Sequence, residues 1–265
     1  MEDMVFSIQT TIADTGVDPM RGKRPSTLES FEFQWRHLPE APFLISDPIW
    51  RENVSKFIID ELKISEDTVR GTCVLDAGCG NGRWSYGFEK LGCRVFGFDT
   101  SQSGVDYARH NVPTGCFAVA DILDYERLLS LYCLGEFDII WCWGVLHHTG
   151  DPERALRNLI PLLRLGGVVH LYLYGKKSLT NHLLRWFFSL FSLKHRVWLA
   201  ELLARWNGQS VHCNFDAFSP AIADECDELE VRTWFGRLGL SYERVYPSWA
   251  AGSTDLFVNG RRERA

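Results

Sequence analysis

The chain has 265 residues, a formal net charge of -6 and 46% hydrophobic residues, enough for one sizeable α/β domain with additions. Its acidity argues against a broad nucleic-acid surface, no stretch approaches the roughly 20 apolar residues that cross a bilayer, and residues 1–25 lack the apolar run of a signal peptide. Eight cysteines without a C-x-x-C pair read as buried free thiols of a reducing, cytoplasmic compartment, with no metal site implied.

Residues 1–24 are polar and irregular, and a mobile arm is expected there. In residues 29–35 the aromatics Phe31, Phe33 and Trp35 alternate as on a strand. Residues 47–63 space Ile49, Trp50, Val54, Phe57, Ile58 and Leu62 as on a helix. Residues 73–77 form a short apolar strand, the glycine-rich turn of residues 78–82 follows, and residues 83–91 read as a helix. A second strand at residues 93–99 ends in Asp99, a third at 116–122 ends in Asp121 and Ile122, and a fourth at 137–143 ends in Trp143. Asp151, Pro152 and Glu153 then have the N-cap acid, first-turn proline and first-turn charge of a helix start, with the helix reaching about residue 165. A fifth strand at 168–174 follows Gly166 and Gly167. Beyond an insertion at about 175–225, residues 227–238 read as the last helix, and 240–246 and 255–259 as closing strands.

The stretch VLDAGCGNG at residues 74–82 carries the clearest chemistry. Gly78, Gly80 and Gly82 allow the backbone to turn sharply and to approach a ligand closely. A dinucleotide fingerprint would require G-x-G-x-x-G, but Arg83 occupies the sixth position. Asp99 lies about 20 residues beyond the first glycine, where a βαβ unit puts an acid for two ribose hydroxyls; a helix cap made with Thr100, Ser101 and Ser103 is the competing role.

With Asp76 two residues before Gly78, the G-x-G-x-G spacing resembles the first motif of the class I S-adenosylmethionine (SAM)-dependent methyltransferases, in their small-molecule branch. The resemblance covers residues 71–174 and departs at Leu165, where the family usually has proline. It implies a doubly wound seven-stranded sheet of order 3-2-1-4-5-7-6 with the last strand antiparallel. It also implies SAM as cofactor and S-adenosylhomocysteine (SAH) as product, and cofactor contacts from Asp76, Gly78, Gly80, Asn81, Gly82, Asp99, Thr100, Asp121, Ile122 and Trp143. Residues 29–35 resemble an F-x-x-Q-W element that covers the cofactor mouth in one branch.

The organisation expected is an N-terminal arm and leading helix (1–70), a cofactor core (71–174), a helical lid insertion (175–226) and the C-terminal part of the core (227–265). Dense apolar residues suggest two packed helices in the insertion, and over residues 175–211 Lys176, Lys177, Arg185, Lys194, Arg196 and Arg205 stand against the single acid Glu201, so this part is basic. A lid over an apolar substrate, a dimer face and a membrane-surface element all fit this pattern, so monomer and homodimer both stand open. Residues 214–220 read as a proline-ended turn returning to the active-site mouth.

Methyl transfer depends mainly on alignment, and His147 and His148 stand at the end of the fourth strand as candidate bases. Turn-shaping is the plainer role for the pair. Trp35, Tyr172, Tyr174, Trp186 and Phe187 are candidate walls of the substrate pocket. The reading is a methyltransferase acting on a small, partly apolar metabolite at O, N or C. RNA, protein or surface-sugar methylation and a non-catalytic SAM-binding subunit are the alternatives, the nucleic-acid ones weakened by acidity and by the lack of an Asn-Pro-Pro-Tyr motif.

Overall fold

Cys73–Ala77 (β1) is buried at all its positions, as a parallel strand must be when helices cover both faces of its sheet. It pairs in parallel with Arg94–Asp99 (β2) and Phe137–Trp143 (β4), while Cys116–Val119 (β3) adds to β2 and Leu163–Leu173 (β5) to β4. Leu256–Arg261 (β7) joins β5 antiparallel and Glu243–Val245 (β6) lies at the edge, so the expected order 3-2-1-4-5-7-6 is observed. The computed structural model describes residues 25–38 and 47–263, so the arm expected at 1–24 lies outside the described residues.

Eleven helices complete the described chain: Thr27–His37 (α1), Pro48–Leu62 (α2), Glu66–Val69 (α3), Arg83–Lys90 (α4), Gln102–Asn111 (α5), Tyr125–Leu131 (α6), Pro152–Leu159 (α7), Leu179–Ser189 (α8), Leu193–Asn207 (α9), Val211–Phe218 (α10) and Glu228–Arg237 (α11). One core cluster joins Leu75, Phe98, Ile140 and Leu171 of the sheet to Leu156 of α7 and Phe235 of α11. A second joins Val74 and Trp141 to Val54 and Ile58 of α2 and Trp84 and Phe88 of α4. Each such fully buried side chain contributes roughly 1.5–3 kcal/mol relative to exposure.

Four local expectations are corrected. Residues 27–37 form a helix and not a strand, because Ser26 and Glu29 close a reciprocal capping box and Glu32 pairs with Arg36 one turn on. The helix before β5 stops at Leu159 and passes into a 3-10 turn at Ile160–Leu162, since Pro161 has no N–H to continue the ladder; β5 therefore starts at Leu163 and bulges before Val168. The third strand ends at Val119, leaving Asp121 and Ile122 in the turn beyond it. The insertion holds three helices, because Ser210 caps α10 and draws residues 214–218 into it.

Candidate functional site

A cavity of ≈ 1420 Å³ opens above the carboxyl ends of β1, β2, β4 and β5, roofed by α1 and by α8–α10. Ligands of doubly wound sheets bind at this end, and the volume exceeds that of a single drug-sized ligand site.

Gly78 and Gly80 line the cavity floor, with φ of 81° and 49°. A Cβ on Gly78 would strike the Val145 side chain, and one on Gly80 would strike the indole of Trp35. The glycines thus make a cradle that any side chain would fill. Asp99 takes the Gly80 amide on one oxygen at 2.9 Å and the Ser101 amide on the other at 2.8 Å, and it lines the cavity beside Thr100. Burial pushes its carboxyl up, opposed by the hydrogen bonds from Ser101, Gly80 and Thr100. Asp121, Ile122 and Trp143 also line the wall. Asp121 meanwhile accepts the Leu123 amide at 2.8 Å, so it caps its turn as well.

Asp76, Asn81 and Gly82, also expected as cofactor contacts, stand behind the glycine turn and off the cavity wall. Asp76 is buried beneath the glycine turn and accepts from the Ser85 amide at 3.1 Å and the Ser85 hydroxyl at 2.6 Å. Burial raises its carboxyl to about 7, against the pull of the Ser85 bonds. Asn81 accepts the Arg83 amide at 3.3 Å, and Gly82 packs against Ala108 of α5. The three build the loop from behind, which fixes where Gly78 and Gly80 lie.

His148, Tyr172 and Tyr174 also line the cavity wall, and Trp35 stands directly over Gly80. His148 donates from Nδ1 to the Ile222 carbonyl at 2.7 Å, so its neutral ring presents the Nε2 lone pair, which is buried and has no protein partner. Burial lowers its pKa, with Asp216 pulling the other way, so the ring is neutral at pH 7. His147 does not line the cavity. Its ring stacks on Tyr174 at 3.7 Å and its Nδ1 accepts the Tyr174 amide at 3.2 Å, which fixes the end of β5. A base role for His147 is therefore set aside.

The insertion places its side chains differently from expectation. Trp186 and Phe187 are 57% and 41% exposed and lie off the cavity. On α8 the cavity face carries Thr180, Asn181, Leu184 and Arg185; Trp186 projects to the opposite face and Phe187 to the flank. The facing is set by Phe188, which anchors α8 in a small core with Leu199, Ala200 and Phe215. Asp216, in the segment expected as a turn, enters the cavity and accepts from the Tyr174 hydroxyl at 3.2 Å. Trp249 also lines the wall, as do Arg83, Arg185 and His212, which were not among the expected site residues.

Helix α1 holds this roof to the core. Glu32 accepts from the Ser101 and Ser103 hydroxyls at 2.6 and 2.5 Å, Ser30 meets Ser219 at 2.6 Å, and Gln34 meets His212 at 2.7 Å. Burial pushes the Glu32 carboxyl up but the Ser101 and Ser103 bonds outweigh it, bringing the value down to about 2.

A profile described as a methyltransferase domain matches residues 50–216. The chain belongs to the class I SAM-dependent methyltransferases. A ubiquinone biosynthesis O-methyltransferase of Coxiella burnetii is 36% identical over 101 residues, 38% of this chain and 42% of that protein, so the match spans under half of this relative's length. The enzyme of the same name from Xanthomonas axonopodis pv. citri is 29% identical over 216 residues, 80% of this chain and 78% of that one. Among solved structures, the N-methyltransferase NodS of Bradyrhizobium japonicum in complex with SAH superposes with a TM-score of 0.56 at 18% identity, over 91% of this chain and all of that one, a likeness of fold. No described helix of this chain is long and apolar enough to cross a membrane.

Proposed function

We propose that the protein transfers a methyl group from SAM to a small, partly apolar acceptor held between His148, Tyr172, Tyr174 and the lid. One observation carries this reading: a single cavity runs from the Gly78–Gly80 cradle and Asp99 to the lid helices, so donor and acceptor sites share one chamber. When bound, SAM supplies an electrophilic methyl on a sulfonium. Gly78 and Gly80 are the residues that would let it approach, Asp99 would accept from the ribose, and Asp121 with Ile122 would meet the adenine.

The chain's own contribution is positioning. Alignment of reacting groups accounts for roughly 7–11 kcal/mol of barrier in oriented intramolecular reactions. Trp143 and Tyr172, tilted against each other with ring centroids 4.4 Å apart, line the chamber, and α1 and α8–α10 would exclude water. His148 lines the same wall, its Nε2 lone pair is buried without a protein partner, and it would take the proton of a hydroxyl acceptor that reaches it. The apolar rim, with Leu203 and the largely exposed Trp206, suits an acceptor with a greasy portion.

The test is to supply labelled SAM to the protein with small-molecule, RNA and protein fractions of its native cell kept apart. Label is expected in small molecules that extract into organic solvent. Label in RNA or protein would replace the acceptor class, and SAM binding without label in any fraction would favour a non-catalytic SAM-binding subunit.

A further inference from the structure

We infer that the acceptor carries an anionic group, a carboxylate or a phosphate, and that Arg185 binds it next to the point of methyl transfer; the inference rests on the methyltransferase reading above. Arg185 stands on the cavity face of α8, half-buried. Its guanidinium donates to the carbonyls of Ala223 at 3.4 Å and Pro220 at 3.3 Å, both at the long end of hydrogen bonding. Among the described residues no carboxylate lies within 4.0 Å of it. Burial lowers its pKa, yet a guanidinium remains cationic in a protein. A partly desolvated cation with donors to spare is costly, and a bidentate oxyanion is the ligand whose geometry matches its fork.

Glu225 and Asp216 are committed elsewhere, while Asp224 keeps a buried Oδ2 without a hydrogen-bond partner. Glu225 accepts from the Lys177 amide at 3.0 Å and pairs with His182 at 3.2 Å, and Asp216 takes the Tyr174 hydroxyl. Asp224 has its carboxyl pushed up by burial, which favours the neutral form. Lys177, the neighbouring base, is already paired with Asp255.

Position gives the site its meaning. The segment from Pro220 to Ala223 supplies the carbonyls for Arg185, and its Ile222 carbonyl holds His148 Nδ1. The guanidinium and the candidate base are thus anchored to the same few peptide units. An acceptor gripped by its anionic group at Arg185 would present an adjacent nucleophile toward His148, with Phe31 and Leu184 against its apolar part.

The experiment titrates inorganic phosphate, and separately benzoate, into SAH-saturated protein at constant ionic strength, reading the backbone amide signals of Ala223 and His148. One probe should shift them saturably; phosphate alone would identify a phosphate acceptor and benzoate alone a carboxylate. Arg185→Gln should weaken that binding by about tenfold or more, and Arg185→Lys should restore part of it, with SAH affinity the same in all three. Arg185→Met replaces the glutamine variant if that one fails to hold SAH. Absence of binding by either probe, or equal binding by the uncharged variant, overturns the inference while leaving the methyltransferase reading intact. Failure of the unaltered protein to bind SAH removes that reading and the inference with it.

Discussion

Asp99 and Asp76 end and interrupt adjacent strands, and burial raises both, yet they act on different sides of the glycine turn. Asp99 faces the cavity while holding the Gly80 amide, so Asp99→Ala removes a charged acceptor from the ligand and loosens the cradle together. A loss of roughly 1.5–3 kcal/mol in SAH binding is expected by calorimetry, and full-strength binding by the folded variant would remove the ribose assignment. Asp76 is a matter of stability. Its folded value of about 7 lies above the ordinary 3.8, so protonation favours the folded state; that contribution is complete below about pH 3.8 and is lost as pH rises through 7. Asp76→Asn keeps an acceptor for Ser85 without the titration, so between pH 4 and 8 the stability of the unaltered protein should fall relative to the variant. Denaturant midpoints that run parallel across that range would contradict it. His148 is neutral at pH 7 with a free Nε2, so His148→Asn should lower turnover of a hydroxyl acceptor about 10²-fold or more with SAH affinity unchanged. Because its pKa is lowered, the pH–rate profile should stay level down through pH 6.5; an inflection at or above that value assigns the base to another group.

At the scale of elements, the glycine turn was legible because its cause is local: a fully buried strand apolar but for Asp76, alternating glycines and a following helix lie within twenty residues. Helix α1 has an equally local cause, but a competing pattern masks it. The alternation of Phe31, Phe33 and Trp35 suggested a strand, although Ser26 and Glu29 already had the spacing of a capping box. The facing of α8 could not be read locally, since Phe188 turns inward against Phe215 of α10 and Leu199 of α9, partners fixed only by tertiary packing. A dense aromatic run therefore pointed to Trp186 and Phe187, which face away from the cavity, and passed over Leu184 and Arg185. Trp186→Ala and Phe187→Ala are expected to leave acceptor KM within about twofold, whereas Leu184→Ala should raise it several-fold with SAH affinity preserved. The reverse ranking would mean that the lid turns over when it meets the acceptor.

For the whole molecule, the sheet order followed from motif resemblance and is observed strand for strand, because five motifs in sequence leave the doubly wound topology few alternatives. The acceptor end was less legible, since Asp216, Arg83, His148 and Tyr174 come from four separate stretches of the chain and meet only through folding. What joins the two ends is the continuous chamber, with α1 tied to α5 through Glu32 and to the lid through Ser30 and Gln34. The measurement that bears most directly on this arrangement is a crystal structure with SAH bound. The ribose should lie on Asp99, the adenine against Asp121 and Ile122, and the sulfur should face the end walled by His148 and Tyr172. SAH seated under the lid beside Arg185, or its sulfur turned away from His148, would contradict the account.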